Sequence, residues 1–385
     1  MKPVRIVVLI LYACLVSVAS NQQPTCGAYT PWRQFHRLNM QRYNPCERML
    51  SVDNVGRLGL RWRYSTGGLA LESSPVVANG VLYVGSEGGL VYALDTSTGA
   101  QRWGIFAGSV YYSSPAVVKG MLYVSATDGN DGTVFALDAN TGDKRWSYTT
   151  SGVVEGTPTV ANGVVYVGSH DHSVYALDAS TGHKRWSFAT GGEVRFSSPA
   201  VAGGMVYVGS EDYNVYALDA NTGAERWSYG TGGLVDSSPA FANGLVYVGS
   251  ADRVYALDAA TGQKRWMYAT DGDVFASSPA VANGVVYIAS SYGSQSGNLY
   301  ALDARTGHKL WSYATGYFLN SSPAVANGVV YFGSDSHNID ALNASTGARL
   351  WNYTTGGAVE SSPIVANGVV YVGSDDGYLY AFGLK

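Results

Sequence analysis

One position in this chain changes its chemistry from copy to copy while its neighbours stay fixed: the residue before a recurring Ser-Ser-Pro tripeptide. In chain order it is Glu72, Tyr112, Phe196, Asp236, Ala276, Asn320 and Glu360, with Glu155 in a diverged copy. Invariant flanks build a scaffold, whereas a residue that varies between them is free to contact something else. Four of these side chains are carboxylates (Glu72, Glu155, Asp236 and Glu360), which suit a cation, a basic ligand or a hydroxyl-rich sugar. Tyr111, Tyr112, Phe196 and Phe318 add stacking surfaces, and Arg195 adds a positive charge beside Phe196. The plainer alternative is a set of solvated loop residues on an unused face. No catalytic role and no metal site is assigned to them.

The elements that position these residues are repeats. Thr-Gly is followed four residues later by Trp at Trp103, Trp146, Trp186, Trp227, Trp266, Trp311 and Trp351, at intervals of 39 to 45 residues. Before each lies the template Ser-Ser-Pro-Ala-Val-Ala-Asn-Gly-Val-Val-Tyr-Val-Gly-Ser, a short variable loop, and Val-Tyr-Ala-Leu-Asp-Ala-x-Thr-Gly. Segments such as Val164-Val165-Tyr166-Val167 and Val174-Tyr175-Ala176-Leu177 have the length and β-branched or aromatic content of strands. Asn-Gly supplies the A–B hairpin turn and Thr-Gly the C–D turn. Triplets of strands A, B and C begin near Ser73, Ser113, Thr157, Ser197, Ser237, Ser277, Ser321 and Ser361, so there are eight blades. The eighth lacks a strand D, and Leu58-Gly59-Leu60-Arg61-Trp62-Arg63-Tyr64 matches the missing piece. The expected fold is therefore all-β: an eight-bladed β-propeller of four-stranded antiparallel blades over residues 58–385, closed by the N-terminal strand.

Within that fold the tryptophans, Trp62 included, are expected to dock neighbouring blades. Asp95, Asp138, Asp178, Asp219, Asp258, Asp303 and Asn343 are expected to cap the Thr-Gly turns. The B–C hairpin tips hold a second polar set: Glu87, Asp128, Asp131, His170, Asp171, His172, Glu211, Asp212, Asp252, Asp335, His337, Asp375 and Asp376. These read as turn residues, and His170-Asp171-His172 lacks a third located ligand.

Composition narrows the classes. With 48 Gly, 29 Tyr and only 14% charged residues, a helical or disordered chain is disfavoured. Beyond the N-terminus no apolar run is long enough to span a bilayer. Residues 1–20 read as a signal peptide, with Met1 to Arg5 as a basic head, Ile6 to Val18 apolar, and cleavage before Asn21. Lipid anchoring at Cys14 is not expected, because Tyr12 is bulky and Leu15 to Val18 stay apolar. Without Lys2 and Arg5 the mature charge is −6, which excludes nucleic acid as a partner. Cys26 and Cys46 are expected to form one disulfide in the extension, residues 21–57. No Cys-x-x-Cys-His marks a c-type haem.

The Ala-x-Asp/Asn…Thr-Gly-x-x-x-Trp pattern, repeated over residues 58–385, resembles the pyrroloquinoline-quinone (PQQ) repeat. That resemblance implies a Trp-docked propeller of the kind found in quinoprotein alcohol dehydrogenases and in the BamB family of periplasmic outer-membrane assembly subunits. The dehydrogenase branch would bring PQQ and calcium, with Arg195 facing a quinone carboxylate and Asp236 as base or calcium ligand. It also carries long insertions and usually a vicinal Cys-Cys pair. Here there is no adjacent cysteine pair, and the longest extra loop is Ser290 to Gly297. Pro31-Trp32-Arg33-Gln34-Phe35-His36-Arg37 is similar to leaders of related propellers. The expectation is an exported monomeric, non-catalytic binding or assembly scaffold that contacts a protein or glycan through the channel mouth. Its rivals are a PQQ- and calcium-dependent dehydrogenase and a carbohydrate-binding propeller.

Overall fold

Each repeat folds into a sheet of four antiparallel strands, and eight such sheets make the propeller. The computed structural model describes Cys26 and residues 32–35, 37, 41–110, 112–275, 277–292 and 296–385. The signal-peptide and Cys14 readings, and the positions of Tyr111 and Ala276, lie outside them. The third blade is typical, with Thr159–Ala161, Val164–Ser169, Ser173–Asp178 and Lys184–Ala189 paired in that order. Asn162 and Gly163 sit at φ 50° and 77° between strands A and B, the left-handed pair that a tight hairpin turn requires. Strand B is buried throughout, whereas the outer strand D keeps its Trp in and shows its basic residues to solvent.

Leu58–Ser65 pairs antiparallel with Tyr378–Leu384 and so supplies the fourth strand of the last blade. Each docking tryptophan then ties one blade to the next. The indole Nε1 of Trp103, Trp146, Trp186, Trp227, Trp266 and Trp311 donates to the carbonyl of Ala139, Ala179, Ala220, Ala259, Ala304 and Ala344 at 2.9–3.1 Å. Trp62 donates to Thr96 and Trp351 to Leu58 in the same way. The Thr-Gly turn of the following blade covers the indole face of every one of these tryptophans except Trp351, which packs edge to face on Phe382 of the last blade. A Cβ on Gly182 (φ 75°) would lie 2.7 Å from Trp146, so that turn admits only glycine. The carboxylate of Asp178 accepts the Ser180 and Thr181 N–H groups of this turn and pairs with Arg185 at 2.6 Å.

The innermost strands are shorter than the repeat template suggests. They are three-residue pieces such as Val76–Ala78 and Ala116–Val118, starting after the proline. The two serines do other work. The first accepts the N–H of the glycine in strand B, as Gly209 to Ser197 Oγ at 2.8 Å. The second belongs to a closed ring in which Ser74, Ser114, Thr157, Ser198, Ser238, Ser278, Ser322 and Ser362 each donate a backbone N–H to the hydroxyl of the next, at 2.9–3.1 Å.

The segment before Leu58 crosses the channel beneath the Ser-Ser-Pro tripeptides, on the side away from the residues that precede them, and covers inner-strand edges that would otherwise be unpaired. Trp32 bridges Val77, the Arg33 carbonyl accepts from Val117 N–H, and Tyr43–Asn44 lies parallel to Ala324–Ala326. Gln34 accepts from Val160 N–H, Gln41 donates to Phe241, and Asn44 donates to Val365. At its centre Arg42 is fully buried and held by carbonyls rather than by a carboxylate: Phe35, Pro323, Pro363 and Ser322 accept its donors at 2.9–3.4 Å. The guanidinium also lies 4.3 Å from the Phe35 ring centroid. A disulfide joins Cys26 to Cys46 across this segment.

Two substitutions test these supports. Arg42→Met strips four buried carbonyls of their donors and is expected to cost on the order of 3 kcal/mol, read from urea unfolding, and to expose the crossing segment to protease. Trp186→Ala should cost roughly 3–5 kcal/mol, whereas Trp186→Phe, which keeps an aromatic ring but loses the bond to Ala220, should cost about 1 kcal/mol. Equal losses for the two Trp186 variants would contradict blade docking by ring packing.

Candidate functional site: the mouth of the channel

With one end crossed, the channel is a cup. Its cavity of about 40 Å³ has Phe35 as floor, the ring residues Ser74, Thr157, Ser198, Ser238, Ser278, Ser322 and Ser362 as wall, and Glu72, Tyr112, Glu155, Phe196, Asn320 and Glu360 around the rim. Geometry explains the convergence. The hydroxyl ring fixes the second serine of each blade about the axis, so the residue two positions earlier falls inward. Tyr112 and Phe196 meet edge to face at 5.0 Å, and Phe275 packs on Phe196 at 5.4 Å. Asp236 does not line the cavity but sits beside it, 3% exposed, among Glu211, Arg195 and Glu155. Phe318 is half-buried and outside the lining.

Reading the hairpin-tip residues as turn chemistry is only half right. Asp171, Asp212 and Asp376 are structural: each accepts the hydroxyl of Tyr175, Tyr216 or Tyr380 at 2.6–2.7 Å and a backbone N–H from the preceding connector. Their neighbours turn to the mouth instead. Glu87, Asp335 and Asp375 act on the rim carboxylates, and His170 and Glu211 join an ion-pair chain. The signal was present in the alternation of the hairpin, where adjacent side chains point opposite ways.

The rim has two electrically different sides. On one, His170 contacts Glu155 at 3.1 Å and Glu193 at 3.3 Å, while Arg195 contacts Glu155 at 3.2 Å and Glu211 at 3.8 Å. Burial opposes the charge on His170, but Glu155 and Glu193 outweigh it and hold the imidazole above its ordinary value. Burial likewise pushes Glu155 up, and His170 with Arg195 more than reverses that. Arg195 lies 4.7 Å from the Phe196 ring centroid, so the guanidinium is committed at its N–H edge to carboxylates and on one face to a ring.

On the other side the carboxylates face one another. Burial first, then Glu360, Asp375, Glu87 and Glu155, push Glu72 up to about 8. Burial with Asp375 and Asp335 takes Glu360 to about 7, against an opposing hydrogen bond from Asn320. Burial and Asp335 raise Asp375 to about 6. Back on the ion-paired side, Asp236 rises to about 7, through burial and Glu211 against the pull of Arg195. Among the described residues, buried carboxyl and amide oxygens without a hydrogen-bond partner around the mouth include Glu72 Oε2, Asp236 Oδ1, Asn320 Oδ1, Asp335 Oδ1 and Asp375 Oδ1.

These residues do not fit pyrroloquinoline quinone. It is a tricyclic tricarboxylate, the cup holds about 40 Å³, and half of the rim residues that it would meet are themselves carboxylates. Pockets for ligands of that size are typically ~300 Å³ or more. Nor, among the described residues, do three His, Cys, Asp or Glu side chains gather closely enough to hold a metal ion. Two larger grooves, of about 560 and 580 Å³, lie at the opposite end between neighbouring blades. They are lined by template residues such as Asn162-Gly163 and Asp258-Ala259, which serve the turns.

Known proteins share this architecture. The quinohemoprotein alcohol dehydrogenase of Comamonas testosteroni is 33% identical over 120 residues, which are 28% of this chain and only 15% of that protein. Among solved structures, the quinohemoprotein alcohol dehydrogenase ADHIIG of Pseudomonas putida HK5 superposes with a TM-score of 0.80 at 20% identity, over 92% of this chain and 80% of that one. BamB from Moraxella catarrhalis superposes with a TM-score of 0.72 at 20% identity, over 85% of this chain and 99% of that one. Such structural likeness at low identity establishes the fold. A family model described as outer membrane protein assembly factor BamB matches residues 32–154, 130–294 and 295–385. Because that match takes in the crossing segment and every blade, the chain belongs to the BamB family.

Proposed function

We propose that this chain is an exported, non-catalytic binding or assembly scaffold that engages a protein partner at the open mouth of its channel. The observation that carries this reading is the cup itself. It is closed beneath by Phe35, too small for the quinone of its dehydrogenase-like relatives, and rimmed by acceptor oxygens that lack donors. Family membership supports the assembly role, since the family is described by that activity. The Cys26–Cys46 disulfide supports an oxidising compartment. Among the described residues no helix is long and apolar enough to cross a membrane.

Two measurements follow. Titration of the signal-free protein with PQQ and Ca²⁺, followed by Trp fluorescence and by dye-linked oxidation of alcohols and aldoses, should give neither quenching nor turnover. Tight stoichiometric binding with turnover would replace the scaffold with a dehydrogenase. The second concerns pH. Folding raises Glu72, Glu360, Asp236 and Asp375, so the native state keeps protons that the unfolded chain gives up above about pH 4–4.5. Their contribution is full below that pH and is lost as pH rises through about 6 to 8. His170, also raised, acts in the same sense. Thermal stability should therefore fall between about pH 5.5 and pH 8.5, and the Glu72→Gln/Glu360→Gln double variant should fall less. An identical slope in both proteins would show that the rim carboxyls carry no such strain.

A further inference from the structure

The mouth combines a polar deficit at its centre with an apolar collar. The connectors from strand D to strand A and the B–C hairpins all end on this face, and they leave Tyr213, Phe275, Tyr292 and Tyr317 between 40% and 76% exposed. Among the described residues, the buried atoms around the cup without a hydrogen-bond partner include carboxyl and amide oxygens. Glu72 Oε2 and Asn320 Oδ1 belong to residues lining the cup, and Asp236 Oδ1 belongs to a side chain 3% exposed beside it. A buried acceptor without a donor costs ~1–3 kcal/mol. A hydroxyl or amide would bring further acceptors into an acceptor-rich site; an ammonium brings three donors and none.

We propose that the cup receives the ammonium group of a lysine from a protein partner, on the Glu72–Glu360 side, with the partner's apolar flanking residues resting on the collar. This rests on the scaffold reading and supplies the chemistry of its partner. Size selects lysine over arginine: a cavity of about 40 Å³ takes a compact ammonium, whereas a planar guanidinium fork needs more width. Position selects the same side, because Arg195 already occupies Glu155 and Glu211 across the mouth and would repel a second cation there. Tyr112 and Phe196, edge to face at 5.0 Å, give the aliphatic stem an aromatic wall. The collar distinguishes this site from one for a simple hydrated cation, to which exposed aromatic rings add nothing.

Entry of the ammonium favours ionised carboxyls, so binding releases protons. Glu72 is faced by Glu360, Asp375, Glu87 and Glu155, and Glu360 by Asp375, Asp335 and Asn320, with His337 acting on Asp375. Affinity should accordingly rise from pH 6 to pH 8.5.

The test is calorimetric titration of the signal-free full chain with the capped peptide Gly-Leu-Phe-Lys-Phe-Leu-Gly and with versions carrying norleucine, acetyl-lysine or arginine in place of the lysine. One-to-one binding of the lysine peptide is expected, about tenfold or more tighter than the norleucine and acetyl-lysine versions and tighter than the arginine version. The preference should be lost in Glu72→Gln/Glu360→Gln, whose near-UV circular dichroism reports whether the blades stay docked. If that variant fails to fold, the peptide series on the unaltered chain decides. No binding, or equal binding of the lysine and norleucine peptides, overturns the proposal. So does saturation by K⁺ or Ca²⁺ alone with no preference among peptides. Failure here with an inert PQQ titration leaves the scaffold reading intact, whereas quinone binding with turnover removes both.

Discussion

The structure depends on one hydrogen bond made eight times: a backbone N–H at the start of each innermost strand donated to the side-chain hydroxyl of the next blade. A propeller has to close, and errors in blade angle accumulate around the ring. A bond of constant length between equivalent atoms sets that angle locally, so the last link, Ser362 to Ser74 at 3.0 Å, meets without adjustment. The Trp-to-carbonyl bonds repeat the same device at the outer radius. Together they fix each blade to its neighbour at two distances from the axis, which prevents both sliding and tilting.

That rigidity creates the chemistry of the mouth. Because the ring holds the serines close to the axis, side chains two residues earlier are forced together whatever they are. Where they are Tyr112 and Phe196 they pack. Where they are Glu72 and Glu360 they share a poorly solvated space with Asp375 and Asp335, and the carboxyls retain protons that they would lose in water. A more flexible scaffold would let them part. Nearby, Glu155 escapes the same fate because His170 and Arg195 pair with it, so the mouth keeps a neutralised side and a deficient one. Arg42, below the floor, does not correct this, since its donors are taken by carbonyls.

Most of the architecture was legible in the sequence because it is periodic. The Trp series, the Asn-Gly and Thr-Gly turns and the strand-like match at Leu58 to Tyr64 each recur, and recurrence separates scaffold from variation. The inward set at Glu72, Tyr112, Glu155, Phe196, Asn320 and Glu360 was legible for the same reason in reverse, since it varies between fixed flanks. What could not be read was aperiodic or depended on direction. Phe35 and Arg42 occur once, in a segment without a template, and nothing local to Arg42 reveals that its partners are 280 and 321 residues away. The hairpin tips do not sort by residue type, because Asp375 and Asp376 look alike as letters, although one acts on the rim carboxyls and the other caps Tyr380.

The crossing segment also decides which face can act. Were the channel open, a ligand could approach from either end and the rim carboxylates would be wetted from below. With Trp32 to Phe35 and Arg42 to Asn44 bonded across the inner strands, these residues stand between the cup and the opposite end of the channel. Donors for Glu72, Asn320 and Asp236 therefore have their open approach from the mouth. A partner that reaches in with a single donor group and rests its apolar residues on the collar answers both features of the face at once. A soluble ion would answer one of them, and a flat anionic quinone neither.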